Sequence, residues 1–534
     1  MSAKKLEKGT FWLEKMKYDS IKTELFRNIF QSVCDEMGNV LKLSALSPNI
    51  KERNDFSCAL FLSNGESFAF GSHIPVHLGS MPLSVKTAIR SFSLDEGDIA
   101  IMNDPFAGGT HLPDITLVSP YWYKNSLLFY IACRAHHSDI GGIQPGSMPL
   151  ASDIFQEGLI IPPIKLCSKN KINRDIISLI LANNRTPRER EGDIKAQVAA
   201  INRGKTRLKS LIDYYGADQI RHYAAGVVEY TDQLFRLILQ EIPEGTYSFT
   251  DLLDDDGFDT RDINLTVDIR VNKKSITFDF SKSSPPVRGC INANEAIAYS
   301  SVLFCLISIF EGQVPINSGI MRSVRIITGR DSILNARKPS AVAGGNVETS
   351  QRVVDVILGA LSSCRKLDIP SASQGTMNNI TFGGYDSRGC FFTYYETIGG
   401  GSGACRGYDG ESAVHSHMTN SLNTPVEILE SAMPIKIIRY AVRKNSGGRG
   451  KFRGGNGIIR EFQCLERLSI SIISERRRNS PYGLFGGEPG RKGKNTLIRR
   501  NRRYAIPSKT NFTGMAQDII LICTPGGGGY GKKT

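Results

Sequence analysis

Apolar residues recur at helical spacing in a stretch that begins at Asp19, a residue able to cap a helix, and ends at Gly38. The pattern predicts an amphipathic helix whose apolar stripe packs on the core and carries no site. The stripe contains Ile21, Leu25, Ile29, Val33 and Met37.

Three later stretches also have helical patterns. Residues 186–189 read Thr-Pro-Arg-Glu, a capping box with proline at the first helical position. They predict a helix over residues 187–215 with a solvated stripe of lysine and arginine. A strongly apolar helix is predicted over residues 292–310, and another over residues 348–364.

Alternating apolar and polar residues around short turns predict β-hairpins. Asn64-Gly65 is a strong signal for one of them. Lys124-Asn125 marks the turn of a longer one, which covers residues 115–133. The other strand patterns are residues 58–62, 67–70, 263–271 and 275–280, and the tail, residues 434–475, has the pattern of further hairpins.

These patterns predict mixed helices and sheets with glycine-rich loops at the site. The chain of 534 residues is long enough for several cores. We divide it into an N-terminal region with the candidate site (1–250), a central α+β region (251–370) and a glycine-rich, mainly β region (371–534). The aspartates at 254–256 lack the spacing of a calcium-binding EF-hand loop, so a turn is predicted there.

The net charge of +14 is concentrated late in the chain. A basic nucleic-acid-binding scaffold is one function that such charge permits. No aromatic platform is interleaved with these charges, so a solvated, interface-forming surface without a specific nucleic acid is predicted. The clusters are Arg476-Arg477-Arg478, Arg491-Lys492, Lys494, Arg499-Arg500 and Arg502-Arg503.

Composition and targeting signals are those of an ordinary cytoplasmic protein. No apolar segment follows the N-terminal lysines, so no signal peptide is predicted. The longest apolar run, residues 296–310, is too short to cross a membrane. The eleven cysteines are scattered without a CxxC pair, which is typical of reduced thiols.

The chemistry of the chain is concentrated in residues 103–142, which hold three of the eight histidines. His111 and Asp114 lie three positions apart on a loop rich in glycine and proline. The predicted hairpin then returns the chain and brings His136 and His137 beside them. Two imidazoles and a carboxylate are a common ligand set for a divalent metal. The alternative is loop capping together with one buried, hydrogen-bonded histidine.

Other polar residues are candidates for the substrate pocket or for catalysis. Two histidines flank Pro75, which disfavours a shared helical face, so they either approach the metal loop or shape its floor. His415 and His417 alternate, which predicts one face of a strand, in a polar network or a second metal site. The irregular residues 147–163 are predicted to form part of the pocket wall. The pocket candidates are His73, His77, Asp104, Glu396, His415 and His417, and the catalytic candidates are His137 and Asp139.

The sequence contains no nucleotide-binding motif. Residues 399–404 nominally fit GxGxxA, but no helix pattern follows and no βαβ unit surrounds them. Gly493-Lys494 is followed by Asn495, and position 488 is a glutamate, so there is no Walker A loop.

Several long motifs occur in a fixed order, and with them the chain resembles the hydantoinase B/oxoprolinase family nearly from end to end. That family includes subunits of ATP-dependent hydantoinases and caprolactamase, the C-terminal half of 5-oxoprolinase, and subunits of ketone carboxylases. The motifs are residues 50–57, 73–77, 103–114, 136–142, 346–351, 373–379, 415–430, 486–490 and 530–531.

The resemblance implies an α+β fold and a B-type subunit in a hetero-oligomer with an A-type partner that binds ATP. It also implies a divalent metal, manganese or zinc, held by His111, Asp114 and His136. The expected substrate is a small cyclic amide that the partner phosphorylates before the metal site activates water against it. The alternative that the resemblance implies is an ATP-dependent ketone carboxylase with the same ligands.

Overall fold

The computed structural model describes residues 18–71, 74–310 and 314–533. Helices and strands are mixed along them, which confirms the predicted α+β class. The helices are α1 (Ser20–Ser44), α2 (Pro48–Lys51), α3 (Ser80–Ser91), α4 (Arg174–Ala182), α5 (Pro187–Tyr215), α6 (Ala217–Leu239), α7 (Glu295–Ile309), α8 (Ser350–Leu361) and α9 (Val426–Ala432). None of the helices in these residues is long and apolar enough to pass through a membrane.

The first sheet has seven strands in the order β2-β1-β5-β4-β3-β6-β7. Lys124 and Asn125, with φ of 46° and 60°, form the turn between β4 and β5, which confirms the predicted hairpin. Helices α1, α5 and α6 contact this sheet, and α3 packs on its other face. The strands are β1 (Phe56–Leu62), β2 (Ser67–Phe70), β3 (Ile99–Met102), β4 (Asp114–Tyr123), β5 (Ser126–His136), β6 (Ile164–Ser168) and β7 (Lys171–Ile172).

Helix α1 is longer and rotated relative to the prediction. Asp19 caps it as expected, accepting the N–H groups of Ile21 and Lys22. Gly38 does not end the helix but is buried within it. Ile21 and Leu25 are 81% and 50% exposed, so the predicted stripe is wrong in the first turns. The buried stripe instead begins at Phe26 and Phe30, which pack against α5 and α6.

The other predicted helices exist with small changes. Helix α5 has the predicted bounds, but the Thr186 side chain makes no capping hydrogen bond, so the capping box is wrong. Helix α7 begins after Asn294, whose side chain caps it. Helix α8 is preceded by a five-residue π-helical turn, Gly345–Thr349.

The second sheet has four strands in the order β11-β10-β9-β8. Strand β8 was not predicted, and it contains Asp254 and Asp255. The Asp255 and Asp256 carboxylates accept N–H groups of the turn that follows. The Asp254 carboxylate instead accepts three backbone N–H groups of residues 477–479. The strands are β8 (Gly245–Asp255), β9 (Arg261–Val271), β10 (Ile276–Asp279) and β11 (Val324–Ile327).

The last two sheets have the orders β13-β12-β16-β19 and β14-β15-β20-β17-β18. Their strands include one hairpin in the tail, since β14 pairs with β15, whereas β16 pairs with β12 and β19. The strands are β12 (Asn379–Tyr385), β13 (Phe391–Glu396), β14 (Ile435–Arg443), β15 (Gly457–Cys464), β16 (Leu468–Ile473), β17 (Lys494–Arg499), β18 (Arg502–Ile506), β19 (Lys509–Gly514) and β20 (Ile519–Cys523).

Glycine-rich segments pack backbone against backbone beside these sheets. A Cβ at Gly403 would lie 1.8 Å from the Ser371 carbonyl oxygen, and one at Gly455 would lie 1.8 Å from that of Glu411. No other residue fits at such distances. Residues 399–404, which nominally fitted GxGxxA, are therefore filled by close backbone packing. They connect to the candidate site through Ile398, whose N–H donates to the Met377 carbonyl.

The division of the chain into three regions, with boundaries at residues 251 and 371, stays a prediction. The largest hydrophobic core crosses both boundaries. It joins Phe235, before the first boundary, to Ile269 and Ile357 of the central region. Tyr395 and Ile473, beyond the second boundary, belong to the same core.

The late basic clusters are not one solvated surface. Arg476 is fully buried and donates to Asp251 at 2.7 Å and to Asp355 at 2.5 Å. Arg477 is largely buried too, and Arg478 pairs with Asp262. Exposed arginines remain on the β17–β18 hairpin, at Arg500, Arg502 and Arg503, where a role in assembly or solubility stays a prediction.

We expect Arg476→Met to lower the free energy of unfolding by about 3–5 kcal/mol, because it removes a fully buried cation from the network of Asp251, Asp355 and Arg352. Urea denaturation of the variant measures this. The matched control is Arg503→Met on the exposed hairpin, with an expected change within about 0.5 kcal/mol. Equal denaturation midpoints for both variants would contradict the structural role.

Candidate metal centre

The candidate site lies at the open end of the β4–β5 hairpin. Asp114 begins β4, His136 ends β5, and the two residues pair directly across the ladder. His111 lies on the preceding loop, and its carbonyl accepts the Asp114 N–H at 3.1 Å. One tight hairpin therefore sets the Asp114 and His136 side chains side by side on the same face of the sheet.

The loop that carries His111 is fixed from outside. Gly108 has φ of +90°, and a Cβ at Gly109 would lie 2.7 Å from the Asp104 carbonyl oxygen, so both positions need glycine. The side-chain amide of Asn294 lies within hydrogen-bond distance of three carbonyl oxygens of the loop. The position of His111 is thus determined by tertiary contacts as well as by its own sequence.

Three ligand-type atoms converge. His111 Nε2 lies 3.2 Å and His136 Nδ1 lies 3.3 Å from Asp114 Oδ1. Ligand atoms bound to one metal at about 2.1 Å lie about 3.0–3.4 Å apart. Asp114 Oδ1 is buried and accepts no hydrogen bond from the residues that the structure describes. The three residues fit a divalent metal, and the described part of the chain contains no other such group of His, Cys, Asp and Glu.

The protonation states also suit a metal. Burial opposes ionisation of Asp114, but His111 and His77 outweigh it and hold the pKa of that carboxyl well below its usual range. Burial lowers the pKa of the His136 imidazole, although the hydrogen bond to Asp114 and the charge of Asp55 act to raise it. The carboxylate is therefore ionised and the His136 ring neutral near pH 7, as metal ligation requires.

The second carboxylate oxygen of Asp114 is held away from the cluster. Thr110 Oγ1 donates to Asp114 Oδ2 at 2.5 Å, and His77 Nε2 lies 3.4 Å from the same oxygen. The other nitrogen of His77, Nδ1, lies 2.9 Å from Ser57 Oγ. If the hydroxyl donates, His77 carries its proton on Nε2, directed at Asp114. This chain of contacts fixes which oxygen faces the metal position.

We expect Ser57→Ala and Thr110→Val each to weaken divalent metal binding about 10–100-fold, because the orientation of Asp114 is then less well defined. Isothermal titration with Mn²⁺ or Zn²⁺ measures the change. Ser119→Ala is the control, since this buried hydroxyl lies on the same strand but bonds the Asp98 carbonyl. Unchanged affinity in both site variants would show that these hydroxyls do not position Asp114.

The His136 ring is held by an aromatic stack. Tyr395 lies against it with ring centroids 4.8 Å apart and planes tilted by 17°. The Arg53 guanidinium lies 4.7 Å from the centre of the same tyrosine ring. The Tyr395 hydroxyl donates to Asn379 Oδ1 at 2.7 Å. Strand β13, nearly 260 residues away in sequence, thus fixes a ligand on β5.

A small cavity of about 20 Å³ opens onto the cluster. One part of its wall is apolar, and the rest is polar and includes two of the three ligand-type residues. The lining residues are Asp55, Ile74, Val76, His77, Asp114, His136, Asn346, Val347, Met377, Tyr395, Thr397, Met418 and Thr419.

The structure separates the two adjacent histidines. His136 faces the cluster, whereas His137 points away and bonds Gln197 at 3.0 Å, and burial lowers its pKa to about 4. Asp139 is paired with Arg185 at 2.9 Å. Neither His137 nor Asp139 lines the cavity, so the catalytic role predicted for them has no support from the geometry.

Of the predicted pocket residues, the structure places only His77 in the cavity wall. Glu396 forms a buried pair with Arg460, and Asp104 caps a short 3₁₀ turn. The prediction that His415 and His417 share a strand face is wrong, because they lie in an irregular segment. The remaining contacts are Lys338 with Asp104, Asn423 with His415 and Asp355 with His417, and His73 lies outside the described residues.

Sequence reasoning missed the groups that complete the site. Thr110 precedes a predicted ligand, and its hydroxyl was the available signal. Asp55 lies in the polar turn before β1. Asn346 and Tyr395 come from distant segments, and only the family motif at 346–351 pointed to the first of them.

Comparison with known proteins finds relatives that match nearly the whole of this chain. An uncharacterised protein of Methanocaldococcus jannaschii is 39% identical, with 96% of this chain and 91% of that protein covered. The 5-oxoprolinase of Dictyostelium discoideum is 39% identical over 96% of this chain, which spans only 40% of that enzyme's length.

The crystal structure of an ATP-dependent caprolactamase from Pseudomonas jessenii superposes with a TM-score of 0.90 at 29% identity, covering 97% of this chain and 92% of that one. The model of the family described as hydantoinase B/oxoprolinase matches residues 19–533. The chain therefore belongs to the hydantoinase B/oxoprolinase family.

Proposed function

We propose that this chain is the B-type, metal-dependent part of an ATP-dependent cyclic-amide hydrolase. The convergence of His111, Asp114 and His136 beside one cavity carries the proposal. The relatives support the reaction class, since they include 5-oxoprolinases and a caprolactamase. The substrate is then a small ring that contains an amide.

His111 Nε2, Asp114 Oδ1 and His136 Nδ1 would hold a divalent metal, manganese or zinc. Bound there, such an ion supplies Lewis acidity and lowers the pKa of water toward neutrality. Asp114 contributes the single negative charge of the set, and Thr110 and His77 hold its other oxygen. Asp114 offsets one of the two positive charges of such an ion, and the neutral imidazole ligands offset none.

The cavity residues have separate roles. Ile74, Val76 and Met418 form an apolar wall that excludes bulk water from the metal position. Asp55 is partly exposed in the same cavity and is the carboxylate that we assign to take up the proton of the attacking water. Its backbone carbonyl also accepts the His136 N–H at 3.0 Å, which ties it to the ligand strand.

ATP is assigned to an A-type partner polypeptide. A ring amide is a poor electrophile because resonance stabilises its carbonyl, and phosphorylating the carbonyl oxygen removes that stabilisation. The chain spans about two-fifths of the length of the 5-oxoprolinase relatives, which leaves most of such an enzyme for the ATP-dependent step. The glycine-rich segments that could suggest a phosphate loop are filled by their own backbone packing.

The test combines the chain with its A-type subunit, ATP and a divalent metal, and offers 5-oxoproline, hydantoin and caprolactam. We expect metal-dependent ring opening of at least one of them, coupled to ADP formation. Acetone with bicarbonate is the comparison substrate. Carboxylation of acetone without any ring opening would overturn the proposal in favour of a ketone carboxylase.

A further inference from the structure

We propose that strand β14, together with the residues packed beside it, is the docking edge for the A-type subunit. The inference rests on the proposed function, because it assumes such a partner. Among the described strands, β14 is the last of its sheet and pairs only with β15. An edge strand directs alternate backbone N–H and C=O groups outward, where an extended segment of a partner can pair with them.

Large apolar side chains are exposed along this edge. Three on β14 are between 43% and 47% exposed, and two more lie on α9 and on the segment that precedes it. Exposed apolar side chains grouped in this way mark an interaction site. The group, called the edge patch below, consists of Leu422, Ile428, Ile438, Tyr440 and Val442.

The edge patch continues a buried core. Tyr440 and Val442 pair with Arg460 and Ile458 of β15, so the two exposed side chains lie on the same face of the sheet as two buried ones. The Arg460 guanidinium lies 4.0 Å from the centre of the Tyr440 ring. The protein itself therefore covers this face at β15 but leaves it open at β14, where a second polypeptide can complete the packing.

The edge patch is also connected to the wall of the cavity at the metal centre. The Tyr440 hydroxyl donates to Asn423 Oδ1 at 3.3 Å, and the Asn423 amide donates to the Thr397 carbonyl at 2.7 Å. Thr397 lines the cavity. A partner docked on β14 is therefore two hydrogen bonds away from the cavity wall, which favours the subunit that must deliver the phosphorylated substrate.

Charge decides between the A-type subunit and a second copy of this chain. Strand β14 contains Lys436, Arg439 and Arg443 and no carboxylate. Glu430 on α9 accepts the Ile437 N–H at 2.7 Å, which covers only the start of the edge. Two copies paired along β14 would bring these cations together, and each whole chain carries a net charge of +14. A partner segment that combines aliphatic residues with carboxylates complements the edge.

The first experiment measures the dissociation constant of the complex with the A-type subunit for wild type, Val442→Glu and Arg439→Glu. We expect each variant to bind at least about tenfold more weakly, because a carboxylate replaces an apolar contact in one and a cation in the other. Tyr504→Glu and Arg503→Glu are the matched controls, since both residues are exposed on β18 at the opposite edge of the same sheet. Their expected dissociation constants are within about twofold of wild type.

The second experiment uses wild type only and does not depend on the folding of a variant. We expect amide hydrogen exchange in residues 436–443 to slow when the A-type subunit is added, and exchange in residues 502–506 to stay the same.

The inference is overturned if exchange in β14 does not change in the complex, or if both β14 variants bind like wild type. It is also overturned if sedimentation shows that wild type alone forms a dimer that Val442→Glu dissociates, because the edge then belongs to a second copy. An A-type subunit that does not bind the wild-type chain at all would overturn the proposed function itself.

Discussion

Replacing His111 with alanine is expected to remove the divalent metal and to abolish ring opening. His111 Nε2 is one of three atoms that converge within 4.8 Å of one another, and its ring is completely buried. The free energy of binding at a structural metal site is about 10–16 kcal/mol, shared among its ligands. Removing one ligand therefore costs about 3 kcal/mol or more, which lowers the affinity by over about 100-fold. Metal analysis after dialysis, together with product assays, measures both effects.

His137→Ala is the control for this prediction, because His137 is a buried histidine adjacent to a ligand but bonded to Gln197 instead. Its expected metal content equals that of wild type. The assignment of ligands is wrong if His111→Ala retains a full equivalent of metal, or if His137→Ala loses it while His111→Ala does not.

The purified chain alone is expected neither to hydrolyse ATP nor to open 5-oxoproline, hydantoin or caprolactam. The reason lies in the chemistry of the substrate, since a nucleophile activated only by a metal attacks an unstrained amide slowly. The cavity beside the metal centre has a volume of about 20 Å³, which is far too small for a nucleotide. Metal binding, by contrast, needs only residues of this chain.

The assay uses the metal-loaded chain with ATP and each cyclic amide, and follows ADP and ring-opened product. Addition of the A-type subunit to the same samples is the positive control. Efficient ATP hydrolysis or ring opening by the isolated chain would show that the division of labour between the two polypeptides is misassigned.

Local sequence predicted the centre of the site because local geometry creates it. Lys124-Asn125 sets a tight hairpin turn, and the hairpin register pairs Asp114 with His136. Strand alternation implied that His136 and His137 point in opposite directions, but not which of them faces Asp114.

The surroundings of the site could not be predicted in the same way. His77 reaches Asp114 from a short 3₁₀ turn, and Asn346 and Tyr395 arrive from segments more than 200 residues away. Their positions depend on packing between sheets, for which one sequence contains no local signal. The same holds for Arg476, which the sequence placed in a solvated basic cluster. Only in the folded chain do Asp251 and Asp355 identify it as a structural cation.

The most direct test of the central claim compares wild type with His111→Ala in the complex with the A-type subunit. Both complexes receive ATP, 5-oxoproline and Mn²⁺, and ADP and glutamate are followed together. We expect glutamate only from the wild-type complex, with the variant complex assembled but unable to open the ring. Equal rates of glutamate formation in the two complexes would contradict the claim that this metal centre performs the hydrolytic step.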